Sequence, residues 1–355
     1  MIFKYPCVEI NLNKITHNVK LLSKSCNLFS IDIVGVSKVF CSEKPLVEAM
    51  LKGGINSIAD SRIENLIKIE DFNCTKYLLR IPMQSEVNEV VTYSDISLNS
   101  EISTIKKLAE ASKALNKTHG IILMVDLGDL REGVLEENIL NISREIMEID
   151  NTNLCGIGTN LTCYGGVIPD ETNLGKLLQI KTELEKNLGI KLPIVSGGNS
   201  SSLYMVLNNT MPKGVTQLRL GEAIVLGRET AYGNDIPGCY KDSFLLKGEI
   251  VEIKDKPSIP TGKIGMDAFG NKPTFKDKGI MRRAIVALGR QDINPEGLFP
   301  IDENIDIIGA SSDHLILDIT KCSNSYKVGD IIEFTMDYGC ILKSMTSLYV
   351  KKKYI

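Results

Sequence analysis

IDIVGVSKVF, residues 31–40, joins a largely apolar, β-branched run at 31–36 to a lysine two positions further on, Lys38. Such a run marks a strand buried on both faces, the kind that a parallel sheet makes when helices cover it. Lys38 then falls at the end of a buried strand, where desolvation favours a neutral amine suited to Schiff-base or proton-transfer chemistry. Lysine is mostly a solvated surface residue, so the flanking sequence has to separate the two readings.

Seven further short apolar runs follow, at 56–59, 77–81, 96–98, 121–125, 154–157, 192–195 and 217–220. Around them apolar residues recur at helical spacing, as at Ile15, Val19 and Leu22, at Leu46, Ala49 and Met50, and at Ile139, Ile142 and Ile146. Strands alternating with helices, with no hairpin dipeptide between them, predict an α/β fold of the (β/α)8 barrel type. A doubly wound sheet shares part of the pattern. Beyond Gly227 the period changes to strand alternation, in LLKGEIVEI (245–253), RRAIVALG (282–289), IDIIGA (305–310), LILDIT (315–320) and DIIEFTM (330–336). The expected division is a barrel over 9–230 and a C-terminal β domain over 231–355, with residues 1–8 joining the latter.

Composition narrows the function classes. Of 355 residues 43% are hydrophobic and 24% charged, as in an ordinary soluble protein with a real core. The formal net charge of -3, with Lys and Arg scattered among Asp and Glu, gives no footprint for nucleic acid or an anionic membrane. No run is long enough to span a bilayer and MIFKYPCVEINLNK lacks the form of a signal peptide, so a cytoplasmic location is expected. Nine cysteines, an odd number without a CxxC pair, argue for reduced thiols over a disulfide frame or a zinc knuckle, and no metal set is expected. Cys41 and Cys163 follow predicted strand ends, but neither has a base beside it in sequence.

In a barrel of this type the chemistry collects where strands end at the C-terminal face. The residues there are Lys38, Asp60 with Ser61, Asn99, Asp126 with Arg131, Asn160, the segment SGGNSSS (196–202), and Arg219. Glycines allow close backbone approach, serines donate hydrogen bonds and a following helix offers N–H groups, so 196–202 reads either as an anion cradle or as a capping loop. Arg219, inside the apolar run QLRLGEAIVLG (217–227), needs a ligand or a buried salt bridge.

In order and spacing these segments resemble the alanine racemase family, and within it the ornithine racemase branch. YPCVEINLNKITHN (5–18) is similar to the family's opening strand and helix, VGVSK (34–38) to its lysine strand, and VDLGDLREG (125–133) to its Asp-x-Gly-x-x-Arg-x-Gly turn. GGNSSS (197–202) and LRLGEAI (218–224) correspond to its phosphate and pyridine-nitrogen segments. DAFG (267–270), GRQD (289–292), GASSDHLILD (309–318) and SLYV (347–350) are similar to the branch. The resemblance implies pyridoxal 5'-phosphate (PLP) as cofactor, held by Lys38 as a Schiff base. Arg131, Asn160, Ser196, Ser200, Ser201, Arg219, Gly221, Glu222 and Tyr349 would surround it, with Arg219 facing the pyridine nitrogen and keeping it unprotonated. It also implies racemisation by two bases and a homodimer with shared active sites.

The second base departs from the family. Alanine racemase uses a tyrosine of the partner subunit in a Ser-Tyr-Gly turn; here the alignable stretch, TGKIGMDAFGN (261–271), offers Asp267. Asn160 stands where that enzyme has a histidine beneath the cofactor. Asp267 and the pair Asp313 and His314 are the candidates, because His17 and His119 are read as helical or loop residues away from the barrel mouth. Asp267 or Asp313 could instead bind the distal ammonium of a diamino acid, with Glu222 a weaker third choice. Alanine or broad-specificity racemisation and a non-catalytic PLP carrier are the alternatives. Metal-dependent aldol cleavage or dehydration needs a His-x-Cys or His-x-Asp pair, and His314 is followed by Leu315 and Ile316.

Overall fold

The computed structural model describes residues 4–267, 269–270 and 272–355. A short strand, β1 (Cys7–Ile10), and a long helix, α1 (Leu12–Asn27), come first. Strands and helices then alternate: β2 (Asp32–Val36), α2 (Lys44–Lys52), β3 (Ser57–Asp60), α3 (Ile63–Ile67), β4 (Thr75–Leu78), α4 (Val87–Tyr93), β5 (Ile96–Asn99), α5 (Ile102–Ala114) and β6 (His119–Met124). The series continues with α6 (Glu136–Met147), β7 (Thr152–Gly158), α7 (Glu171–Leu188), β8 (Ile194–Ser196), α8 (Leu203–Leu207), β9 (Gln217–Leu220) and α9 (Glu222–Leu226). β2 to β9 form a closed barrel of parallel neighbours, and β9 returns to β2 in the register Asp32↔Gln217, Val34↔Arg219.

Period-2 alternation sorts the side chains of each strand. Val34, Val36, Ala59, Tyr77, Leu98, Ile122 and Met124 pack together as one cluster fed by the barrel strands, and the opposite faces meet the helices. α1 buries Ile15, Val19, Leu22 and Cys26, a stripe at helical spacing. α7 starts at a capping box between Asp170 and Asn173 and stops at Gly189, whose φ of 66° needs no Cβ.

The second unit is a β domain: β10 (Phe244–Pro257), β11 (Ile280–Val286), β12 (Leu298–Pro300), β13 (Asp306–Ala310), β14 (Leu315–Asp318), β15 (Ile331–Met336), helix α10 (Tyr338–Thr346) and β16 (Lys351–Tyr354). Its sheet runs β12-β15-β10-β11-β14-β13, and β1 pairs antiparallel with β10 and parallel with β16. Phe244, Leu246 and Ile250 point to one side of β10 and are buried with Val286, Leu317 and Phe334.

The division between units falls elsewhere than at 230/231. One unit is Leu12–Lys241; the other is Met1–Asn11 with Asp242–Ile355. Residues 231–241 stay with the barrel because side chains hold them there. Asn18 of α1 donates to the Tyr240 carbonyl (2.8 Å) and accepts from the Tyr240 N–H (2.7 Å). The buried Glu229 carboxylate accepts from the N–H groups of Ala231 (2.7 Å) and Asn234 (2.8 Å). His119 is a second difference from expectation, since it is the first residue of strand β6, at the end opposite the mouth.

Candidate active site

Barrel closure makes β7, β8, β9 and β2 consecutive neighbours, so Asn160, Ser196, Arg219 and Lys38, far apart in sequence, lie on or just after adjacent strands toward the C-terminal end. Lys38 begins a single 3-10 turn, Lys38–Phe40, directly after β2. The lysine itself is exposed, so the buried setting expected of it belongs to β2 alone.

Arg219 is buried, at 4% exposure. Its register with Val34 turns it into the barrel, where its guanidinium donates to the Ser196 hydroxyl, to the Thr159 carbonyl (2.8 Å) and, at 3.5 Å, to Asn160 Oδ1. Among the described residues no carboxylate forms an ion pair with it, and burial pulls its pKa down to about 10. A chain of hydrogen bonds fixes it from below: Ser196 Oγ donates to Gln217 Oε1 (2.8 Å), and Gln217 Nε2 donates to the Tyr77 hydroxyl (3.3 Å). Tyr77 and Gln217 also line a cleft of about 350 Å³ at the opposite, N-terminal end of the barrel, and no lysine is among the described residues that line it.

The turn after β8 has the form of a cradle. Gly198 has φ +115°, and a Cβ there would come within 2.4 Å of the Ser202 hydroxyl. Ser200 Oγ accepts from the Ala223 N–H (3.1 Å), which ties this turn to the start of α9, and the buried Ser201 Oγ has no partner among the described residues. Gly221 caps α9 beside Val36, 3.2 Å from where its Cβ would stand, and the leading N–H groups of a helix have no intrahelical acceptor. Glu222 gives its carboxylate to Arg228 (2.6 and 2.8 Å), which removes it from the candidates for a substrate ammonium.

Around the mouth, Arg131 pairs with Glu132, and Asn160 Oδ1 accepts from Asn199 Nδ2 (3.0 Å). Cys163 is exposed and Cys41 half-buried; all nine cysteines are free thiols. Two acidic residues carry more than the sequence suggested. Asp129, buried, accepts N–H groups of Tyr164 (3.0 Å), Gly165 (3.1 Å) and Val167 (3.4 Å), tying together the loops after β6 and β7. Asp60, at the end of β3, anchors the turn that carries Lys38. Asp129 lies in a polar loop and Asp60 leads into one, and only their burial distinguishes them from solvated carboxylates.

The remaining candidates lie in the β domain. Asp313 Oδ1 stands 3.0 Å from His314 Nδ1, and that contact, with the Ser311 hydroxyl, holds the Asp313 carboxyl below the usual range. Arg290 and Gln291 donate backbone N–H groups to the carbonyls of Ser311 and Ser312 (both 2.9 Å), and Gly289 lies so close that a Cβ would be 2.4 Å from the Ser312 carbonyl oxygen. The Arg290 guanidinium also stacks over Phe269 at 5.2 Å, in the turn where Asp267 Oδ1 accepts the Phe269 N–H (2.9 Å). Arg290 thus joins the Asp267 turn to the Asp313 and His314 turn; Ala268 and Asn271 of that stretch lie outside the described residues. Tyr349 is 65% exposed, after Ser347, whose hydroxyl bonds Asp292 (2.6 Å).

Residues 10–229 match the family model for the alanine racemase N-terminal domain. The chain belongs to the alanine racemase family. Over 350 residues it is 50% identical to an ornithine racemase of Acetoanaerobium sticklandii, covering 98% of this chain and 99% of that one. It is 43% identical over 352 residues to a lysine racemase of Thermotoga maritima, covering 99% and 98%. Among solved structures, alanine racemase from Streptomyces lavendulae superposes with a TM-score of 0.80 at 14% identity, over 100% of this chain and 98% of that one. Alanine racemase from Bartonella henselae with covalently bound pyridoxal phosphate does so at 0.76 and 17% identity, over 99% and 100%.

The mouth of this alanine racemase family barrel fits PLP by the chemistry of its donors. The unpartnered Ser201 hydroxyl, the glycine turn at 198 and the start of α9 suit a phosphate. A buried guanidinium that, among the described residues, bonds only to neutral oxygens suits a pyridine nitrogen, and Lys38 would supply the amine.

Proposed function

We propose that this chain racemises a basic amino acid, ornithine foremost, with PLP held at the barrel mouth by Lys38 and a second base supplied by the β domain of a partner copy. The observation that carries the reading is the placement at one barrel end of Lys38, the serine and glycine cradle, and an Arg219 without a carboxylate partner among the described residues. When bound, PLP supplies an electron sink that makes the α-proton of an attached amino acid acidic.

The protein's part is orientation and proton transfer. Arg219 would hold the pyridine nitrogen as a hydrogen-bond donor that cannot take a proton from it, which would limit the sink and favour racemisation over transamination. The Lys38 amine moves the proton on one face of Cα. On the other, His314 is the proposed base: Asp313 engages its Nδ1, leaving Nε2 for the transfer. Asp267 is then the carboxylate for the distal ammonium. The two nearly full-length relatives, named for ornithine and lysine, both support a basic side chain.

The first test is the covalent site. Borohydride reduction of the yellow protein should fix PLP on Lys38, and Lys38→Ala should lose both the adduct and the absorbance. A reduced adduct on another lysine would end the reading. Chiral analysis should then show ornithine inverted, lysine more slowly, and alanine hardly at all, because an ammonium-binding carboxylate left unpaired disfavours apolar analogues by roughly 10⁴-fold. Asp267→Asn should raise KM for ornithine, whereas His314→Gln should lower kcat. Alanine turned over as well as ornithine would overturn the substrate assignment and leave the racemase intact.

A further inference from the structure

We propose that Asp60 is a positioning residue for Lys38, a role that rests on Lys38 being the PLP lysine. Its carboxylate, with no exposed surface, accepts four hydrogen bonds: Ser37 Oγ (2.8 Å) and Ser42 Oγ (3.1 Å) at Oδ2, and the Arg62 N–H (3.0 Å) and Asn65 Nδ2 (3.0 Å) at Oδ1. Among the described residues no cation pairs with it. Burying an unpaired carboxylate is costly even when hydrogen-bonded, so a turn that only needed closing has simpler solutions.

The partners tell what is being held. Ser37 immediately precedes Lys38 and Ser42 follows it by four residues, so one carboxylate clamps both sides of the lysine, and the two hydroxyls are themselves 2.7 Å apart. Within the clamped turn Cys41 and Ser42 have φ of 54° and 52°, a left-handed region that residues with a Cβ adopt at a cost. Lys68 Nζ holds the Cys41 carbonyl (2.9 Å), and the Ser37 N–H is tied to the Ala59 carbonyl (2.8 Å). The turn is therefore fixed in a conformation it would not choose alone, and what it fixes is the base of the Lys38 side chain. A lysine that must release its cofactor link and then reach the same α-carbon in every turnover needs a fixed root more than a flexible one.

Asp60→Asn and Ser42→Gly test this, the second because it removes a clamp hydroxyl while relieving the left-handed strain. The protein is treated with PLP and cyanoborohydride, and the modified Lys38 peptide is quantified against time by mass spectrometry, with melting temperature, kcat and KM measured in parallel. Wild type should label Lys38. Both variants should label it more slowly and lose kcat by roughly tenfold to a hundredfold, the size of effect that a misplacement of about 1 Å produces. KM for the amino acid should hold, and Ser42→Gly should melt no lower than wild type. Should Asp60→Asn not fold, Ser42→Gly alone decides. Labelling of wild type at a different lysine removes the Lys38 reading itself. Labelling of Lys38 at the wild-type rate in wild type and variant alike, with kcat unchanged, makes Asp60 a loop staple and overturns the proposal.

Discussion

Arg219 shows how much a single register position can decide. Paired with Val34, it is turned into the barrel, where among the described residues it meets a hydroxyl and carbonyl oxygens but no carboxylate. Arg219→Glu would replace a donor that keeps its proton with an acceptor that favours a protonated pyridine. Racemisation should fall on the order of a hundredfold, as when an electrostatic contact to a reacting group is lost, and transamination should rise as a share of turnover; an unchanged ratio of the two products would remove Arg219 from this role. His119 makes a different prediction. Buried against the Ser97 hydroxyl (2.8 Å), it has its pKa pulled down from 6.5 to about 4. The unfolded chain then takes up a proton near pH 6.5 that the folded chain refuses until about pH 4, so stability falls as the pH drops through that window. A difference of that size is worth roughly 3 kcal/mol. Urea unfolding at a series of pH values should show the loss in wild type and a shallower one in His119→Gln; equal slopes would contradict it.

Among the elements, the loops of the mouth depend on one buried group. Asp129 holds three N–H groups of the following loop, and Gly165 passes so close that a Cβ would be 2.8 Å from the Asp129 carbonyl oxygen. Asp129→Ala leaves those donors without their acceptor, a loss of about 1–3 kcal/mol, concentrated where the loops after β6 and β7 meet. Limited proteolysis mapped by mass spectrometry should find new cleavage at 161–169 in this variant and none in wild type. A wild-type cleavage pattern would show that the two loops are held by other contacts. Gln217 acts between strands in the same manner, since its amide spans from Ser196 on β8 to Tyr77 on β4.

At the scale of the molecule, the first proposed base lies on the barrel, and the proposed function assigns the second to the β domain of a partner copy. A C2 pair does this twice with one interface. Sedimentation velocity should show a dimer at the concentrations where racemisation is measured, and dilution to monomer should remove activity. Mixing Lys38→Ala with His314→Gln should restore part of the lost turnover, because one of the two sites in each mixed dimer would have both bases intact. A fully active monomer would exclude this arrangement.

The barrel was legible in the sequence because its signal is local. Each buried strand from 31–36 to 217–220 carries its own apolar run, and the turn that follows it carries polar residues, so Lys38 and Arg219 could be found by position alone. The resemblance gave those positions their proposed chemistry, and the family comparison bore out the resemblance itself. Other features depended on which distant segments become neighbours. β1 precedes the barrel in sequence, yet its backbone groups are satisfied by β10 and β16, some 240 and 340 residues on, in the register Cys7↔Lys247 and Cys7↔Lys351. The barrel's end moved to 241 because Asn18 holds Tyr240, and Glu222 left the substrate candidates because Arg228 holds its carboxylate. The periodicity of a chain records which side chains must leave water, and that is enough to establish a barrel. Which oxygens satisfy a buried Arg219 depends on β9 lying beside β8 and β8 beside β7, which carboxylate clamps the turn of Lys38 depends on β2 lying beside β3, and only the tertiary structure contains those contacts.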